Sequence, residues 1–147
     1  MTAFDFELVT PERVLWSGEA EAVSMRSDVG ELTILANHAS LVGALDITVL
    51  RITPSTGGEE GAPAGDEVRA AVHGGFLHVH ENKVEVAAPV AELASEIDVA
   101  RARRALEAAQ SAAGEETPPA EGVRGAFLDP DSAEARRRRA EVRLEAA

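Results

Sequence analysis

Gly74 to Ala109, GGFLHVHENKVEVAAPVAELASEIDVARARRALEAA, begins with an apolar period of two and ends with a helical one. Gly74-Gly75 opens a strand that puts Leu77 and Val79 on one face and Phe76, His78 and His80 on the other. Glu81-Asn82-Lys83 reads as a turn, because Asn tolerates left-handed backbone angles, and Val84 and Val86 then resume the strand period. After Pro89 the pattern changes. Ser95 and Asp98 have capping-box spacing, although Asp is shorter than the preferred Glu or Gln. Val99, Ala102, Leu106, Ala109 and Ala113 follow on one helix face. A compact β-domain therefore hands over to a helical tail.

Upstream, Phe4, Phe6 and Leu8 alternate with Asp5 and Glu7 as in a half-buried strand, which Thr10-Pro11-Glu12 ends. Val14-Leu15-Trp16, then Ala20 to Arg26, then Glu31 to Leu35 read as further strands, separated by Gly18 and by Asp28-Val29-Gly30. Ala36 to Ser40 reads as a loop. Leu41 to Leu45, Ile47 to Thr53 and Val68 to His73 read as more strands. About eight to ten short strands with frequent turns predict an antiparallel β-sandwich or flattened barrel. The fold class is thus mainly β with an α-helical tail: a sandwich over residues 1–91 and a two-helix hairpin over 92–147.

Two segments lack the apolar residues of a core. Residues 54–67, PSTGGEEGAPAGDE, predict a solvated acidic insert, and 114–125, GEETPPAEGVRG, a linker between helices. Asp129 with Pro130 reads as an N-cap and first helical residue. Ala133, Arg137, Ala140 and Leu144 then share one weak face of the last helix, with Phe127 and Leu128 just before it. Few of the tail's large apolar residues can be fully buried, and each is worth roughly 1.5–3 kcal/mol. The tail is therefore expected to be able to leave the β-domain.

The chain has 147 residues, no cysteine and a formal net charge of −12. Without cysteine there is no disulfide, thiol nucleophile or thiolate metal site. No apolar run approaches the roughly 20 residues of a membrane span, and the acidic start MTAFDFELVTPE does not read as a signal peptide. A cytoplasmic location is expected. Residues 1–95 carry 15 acids and 5 bases, a surface that would repel nucleic acid and anionic lipid.

No phosphate loop, GxGxxG, GxSxG or HExxH pattern occurs. His73, His78 and His80 invite a metal reading, but exposed or hydrogen-bonded strand histidines account for them as well, and no metal is expected. His38 lies where a catalytic base would sit, yet nothing nearby forms a nucleophile pair, so no catalytic residue is assigned. Arg136 to Arg139, with Arg143, have two readings. One is a solvated helix face paired with Glu134 and Glu141. The other is a contact with an acidic partner, because four consecutive arginines encircle a helix.

FELVTPERVLWSGEAEAV, GELTILANHASLVGAL, HGGFLHVHENKVEVAA and AELASEIDVARARRALEAA, in that order, resemble the epsilon subunit of bacterial F-type ATP synthases. The resemblance implies a non-catalytic rotor-stalk subunit, peripheral on the cytoplasmic face of the inner membrane. Its sandwich would dock on the gamma subunit and the c-ring, coupling proton flow to ATP synthesis. Its helical tail would restrain hydrolysis at the alpha/beta head, with Arg136, Arg137, Arg138, Arg139 and Arg143 as the inhibitory contact. Glu31, Asn37 and His38 would face the c-ring. Ala36, Asn37 and Ser40 stand where the family usually has Pro, Gly and Pro, which predicts a looser loop.

Ile97 to Ala102 also resembles the family's IDxxRA motif. It would give regulatory ATP, the one ligand expected, to Glu92, Ile97, Asp98, Arg101 and Ala102, helped by Arg137 on the second helix. No cofactor is expected to be obligatory. The remaining readings are a free β-sandwich binding module with a helical dimerisation tail, and a small enzyme using His38 or the strand histidines.

Overall fold

The computed structural model describes residues 3–55, 66–113 and 133–147. Most of the acidic insert, the 114–125 linker, Phe127, Leu128 and the Asp129-Pro130 cap lie outside the described residues.

Among the described residues seven strands run β1 Phe4–Val9, β2 Val14–Ser27, β3 Gly30–Leu35, β4 Leu41–Pro54, β5 Val68–His80, β6 Lys83–Ala87 and β7 Ala91–Leu93. A 3₁₀ turn at Ala94–Glu96 leads to helix α1, Val99–Ala113, and the chain ends in α2, Ala133–Ala146. The strand order is β1-β6-β5-β4-β2-β3, and β1 also pairs with β2, so the sheet curls back on itself. All pairings are antiparallel except β1 with β6. Phe6, Trp16, Ile34, Leu45, Leu50, Ile52 and Leu77 fill the core between the layers, and the Phe6 and Trp16 rings lie 5.6 Å apart.

The strands expected to be separate join into three long ones, because ladder hydrogen bonding passes through the residues that read as breaks. At the joins the inward face changes. Leu45 points into the core, but beyond Asp46 it is Leu50 and Ile52 that do, while Val49 turns outward. Across the ladder, Leu77 and Val79 point inward, and beyond Gly74 it is Ala70 and Val72. Gly74 and Gly75 take φ of 77° and 120°, which lets β5 turn over at this point. On β4 the Asp46 carboxylate accepts a bond from the Ile47 N–H at 2.7 Å, satisfying a donor at the kink.

The hairpin after β5 has the expected tight turn, with Glu81 at φ 46° and Asn82 at 58°. Asn82 also ties three segments together. Its Oδ1 accepts from the Asn37 N–H at 2.7 Å, and its Nδ2 donates to the Ala3 carbonyl at 2.9 Å. Asn37 keeps the left-handed conformation, at φ 61°.

β7 pairs with β5 and sends Leu93 into the core, so the sandwich runs on past Ala91. Ser95 lies inside the 3₁₀ turn and does not cap α1. Asp98 does, its Oδ1 accepting from the Arg101 N–H at 3.0 Å.

The tail differs from the single apolar face expected. The inner helix is α2, which lies on β4 and β5, and α1 packs chiefly on α2. Val142 and Ala146 join Val49 and Ala71 in a second small core, flanked by Ile47 and Ile97. Ala135 and Ala140 are buried as well, whereas Arg137 is exposed and Leu144 only half-buried. A helix packed on two sides needs two stripes, and small residues supply both.

Candidate functional site

The helix junction gathers most of the residues expected at a ligand site. Glu92 on β7, Glu96 in the 3₁₀ turn, Asp98 ahead of α1, Arg101, Ala102 and Ala105 on α1, and Arg143 on α2 line a cleft of about 180 Å³. Ile97 lies beside it and packs on the second core instead. Arg137 stands apart, 3.6 Å from Glu141 one turn along α2.

Most charges of the cleft are already engaged. Arg143 Nε donates to Glu92 Oε2 at 2.5 Å. Arg13 donates to Glu96 Oε1 at 2.6 Å from the far end of the sequence, and that guanidinium holds the Glu96 carboxyl below its usual range. Asp98 is occupied in capping its helix. The cleft is also smaller than the ~300–1,000 Å³ of ordinary small-molecule sites. In this conformation it is a closed ion-pair cluster. Opening it requires Arg143 to leave Glu92.

Sequence reasoning missed three members of this neighbourhood. Arg143 was grouped only with the arginine run. Arg13 is 83 residues from its partner, so no local pattern reveals the pair. His73, expected to be exposed or hydrogen-bonded, is neither: it is 8% exposed beneath α2, and neither ring nitrogen has a hydrogen-bond partner. The face change at Gly74 turns it toward the tail. His78 and His80 are exposed, their rings stacked 5.9 Å apart. Among the described residues no group of three or more His, Cys, Asp or Glu is placed to hold a metal ion.

Glu31, Asn37 and His38 are not brought together. Glu31 starts β3 opposite Arg26, whereas Asn37 and His38 follow its far end beside Asn82. The strand from Glu31 to Leu35 and then a turn at Ala36-Asn37 separate the two positions, and the strand part alone spans roughly 13 Å at ~3.3 Å per residue. The tip before Glu31 carries Val29, 91% exposed. His38 Nδ1 lies 2.8 Å from the Ala39 carbonyl, a local contact.

The arginine run encircles α2. Arg136 and Arg137 are exposed, and Arg138 and Arg139 half-buried toward the sandwich. Arg138 lines a cleft of about 240 Å³ with Arg26, Glu31, Arg51 and Glu145. Part of the run therefore faces this chain's own β-domain. Elsewhere on the sandwich, Val42 and Phe76 are 72% and 64% exposed on an outer face that the tail leaves open. They belong to the Val42–His78 and Ala44–Phe76 pairs of β4 and β5, and are diagonal neighbours across that ladder.

An antiparallel sandwich with a helical hairpin on one face defines a two-part class of protein, and comparison with known proteins gives the class a family. Residues 3–94 match the model of the ATP synthase delta/epsilon chain β-sandwich domain. The epsilon chain of Streptomyces griseus is 39% identical over 140 residues, covering 95% of this chain and 91% of the relative. That of Thermobifida fusca is 45% identical over 106 residues, 71% and 72% of the two chains. In fold, the chain is similar to one in the Euglena gracilis mitochondrial ATP synthase OSCP/F1/c-ring structure, with a TM-score of 0.65 at 22% identity over 99% of this chain and 77% of that one. The protein belongs to the ATP synthase epsilon chain family.

Proposed function

We propose that this chain is a non-catalytic rotor-stalk subunit of a proton-translocating ATP synthase, held at the cytoplasmic face of a bacterial membrane by its partners. The observation that carries this reading is the match to an epsilon chain over 140 residues, which takes in the helical tail as well as the sandwich. The sandwich docks on gamma through the open apolar face around Val42 and Phe76. An aromatic and an aliphatic side chain left uncovered side by side suit a partner surface. The Asp28–Glu31 tip, with its bare Val29, meets the c-ring. No helix among the described residues is long and apolar enough to cross a membrane, so contact with the membrane sector runs through such loops. A cysteine at Glu31 is expected to crosslink efficiently to the polar loop of subunit c. A cysteine at His38 should do so much less, because β3, roughly 16 Å from end to end, lies between the two positions. Efficient crosslinking of both only to the catalytic head overturns this arrangement.

We further infer a weak regulatory ATP site at the helix junction, through Glu92, Asp98, Arg101 and Ala102. Those residues already share a cleft, and Arg143 swinging off Glu92 would provide a cation for phosphate. Calorimetry on the isolated subunit should show binding at up to millimolar ATP that Asp98→Ala and Arg101→Ala each weaken. The cap lost in Asp98→Ala costs about 1 kcal/mol of helix stability, so the titration belongs well below the melting temperature. No heat at millimolar ATP, or binding untouched by both changes, removes the site.

A further inference from the structure

His73 lies at the centre of the contact between tail and sandwich, on the β5 face that α2 covers. From β7, Glu92 Oε2 lies 3.9 Å from His73 Nε2, close enough to feel its charge but too far for a hydrogen bond. The same oxygen accepts the Arg143 bond from α2, so this carboxylate is already neutralised by a guanidinium. Arg139, one turn earlier on α2, also bears on the ring. On β4 the residue opposite is Ile47, and that strand's charged groups are engaged elsewhere. Asp46 binds its own backbone, and Arg51 pairs with Glu145 and Glu67. His73 is therefore a buried imidazole with no hydrogen bond to either ring nitrogen among the described residues, beside the Arg143–Glu92 ion pair and within the electrostatic reach of Arg139. A proton on it would add a buried charge that Glu92, already bound to Arg143, compensates only in part.

We propose that His73 is a proton-operated latch: α2 rests on the sandwich only while the imidazole is neutral, and protonation releases the tail. The energetics of the docked ring agree with that geometry. Burial first and Arg143 second, outweighing Glu92, push its pKa down from 6.5 to about 4. Once α2 has lifted away, the ring meets water and recovers its ordinary value. The undocked state then binds more protons than the docked one between those two values. Docking is therefore at full strength above about pH 6.5 and weakens as pH falls toward 4. The docking constant should fall ~30-fold between pH 7.5 and pH 5. The same step breaks up the Arg143–Glu92 pair, since Arg143 departs with α2, and it exposes Arg138 and Arg139, the half-buried part of the arginine run.

Hydrogen exchange on the full-length chain tests this, because the protection of α2 amides reports docking even when the undocked fraction is small. Corrected for intrinsic exchange rates, protection across α2 should drop ~30-fold from pH 7.5 to 5 in the wild type and by less than ~3-fold in His73→Phe. The core amides of Leu50 and Leu77 should keep their protection in both. His73→Gln, neutral and polar, should behave like His73→Phe and serves if the phenyl ring overpacks the site. An equal fall in wild type and both variants, or none in the wild type, overturns the proposal. Loss of Leu50 and Leu77 protection in step with α2 overturns it too, because that is global unfolding.

Discussion

Replacing Gly75 by alanine is expected to destabilise the sandwich by about 3–5 kcal/mol, among the largest effects a single methyl group can have here. A Cβ at this position would stand 2.3 Å from the Ala87 carbonyl oxygen and 2.9 Å from Ala88 Cα, both backbone atoms that cannot rotate aside. The backbone φ of 120° is also one that alanine rarely takes. Relief requires β5 and β6 to separate where they bring Leu77 and Val86 into the core. For a domain of this size each kcal/mol lowers Tm by roughly 4–8 °C, so a fall of about 12–40 °C is expected by circular dichroism. Gly43 on neighbouring β4 is the control. A Cβ there meets nothing within 4 Å, and Gly43→Ala should stay within about 1 kcal/mol of wild type. Equal melting temperatures for the two variants would show that the β5–β6 contact is not as close as described.

The second large effect concerns hydrolysis. Changing Arg136, Arg137, Arg138 and Arg139 together to Gln is expected to raise ATPase activity of the assembled enzyme several-fold, with synthesis coupling altered less. The four arginines encircle α2, and a helix held to the sandwich mainly by Val142 and Ala146 is weakly anchored. Released, it presents a dense cationic surface to an acidic partner. Exposed pairs contribute about 0.2–1 kcal/mol each, so four supply on the order of 0.8–4 kcal/mol, which spans the usual allosteric range of about 1–3 kcal/mol. Such contacts are screened beyond about 8–10 Å at physiological salt, so raising salt should narrow the gap between variant and wild type. A chain ending after Ile97, which keeps β7 and Leu93, should show the same activation. If neither change affects hydrolysis, the run is an ordinary solvated helix face.

The hairpin and the strand-to-helix change were legible because each depends on neighbours in the chain. Asn82 needs only a tight turn and Leu77 and Val79 only alternation, whereas the helix cap reads at Ser95 and lies three residues on, at Asp98. The exchange of faces at Asp46 and Gly74 was not legible. Each half of β4 and β5 obeys its own period, so the halves read as separate short strands. That one ambiguity concealed the outer strip of Val49, Ala71 and His73, and with it the seat of α2. The tail misled for a related reason. Alanine contributes to any helix face, so the sequence of α2 gives little sign of which sides are packed. At the helix junction the IDxxRA segment located the cleft, but the residues that close it, Arg143 and Arg13, come from distant parts of the sequence. Glu31 and His38 looked close because only six residues separate them, yet an extended strand spends those residues on length.

The central claim is that this chain is part of an ATP synthase rotor. The most direct measurement is affinity capture of the tagged full-length chain from gently solubilised membranes of its host, with the co-purifying subunits identified and counted. Gamma and the c-ring are expected in fixed proportion, together with the catalytic head, with loss of gamma when Val42 and Phe76 are both changed to charged residues. Recovery of the chain only as a soluble dimer, with no gamma or c subunit at any salt concentration, would contradict it.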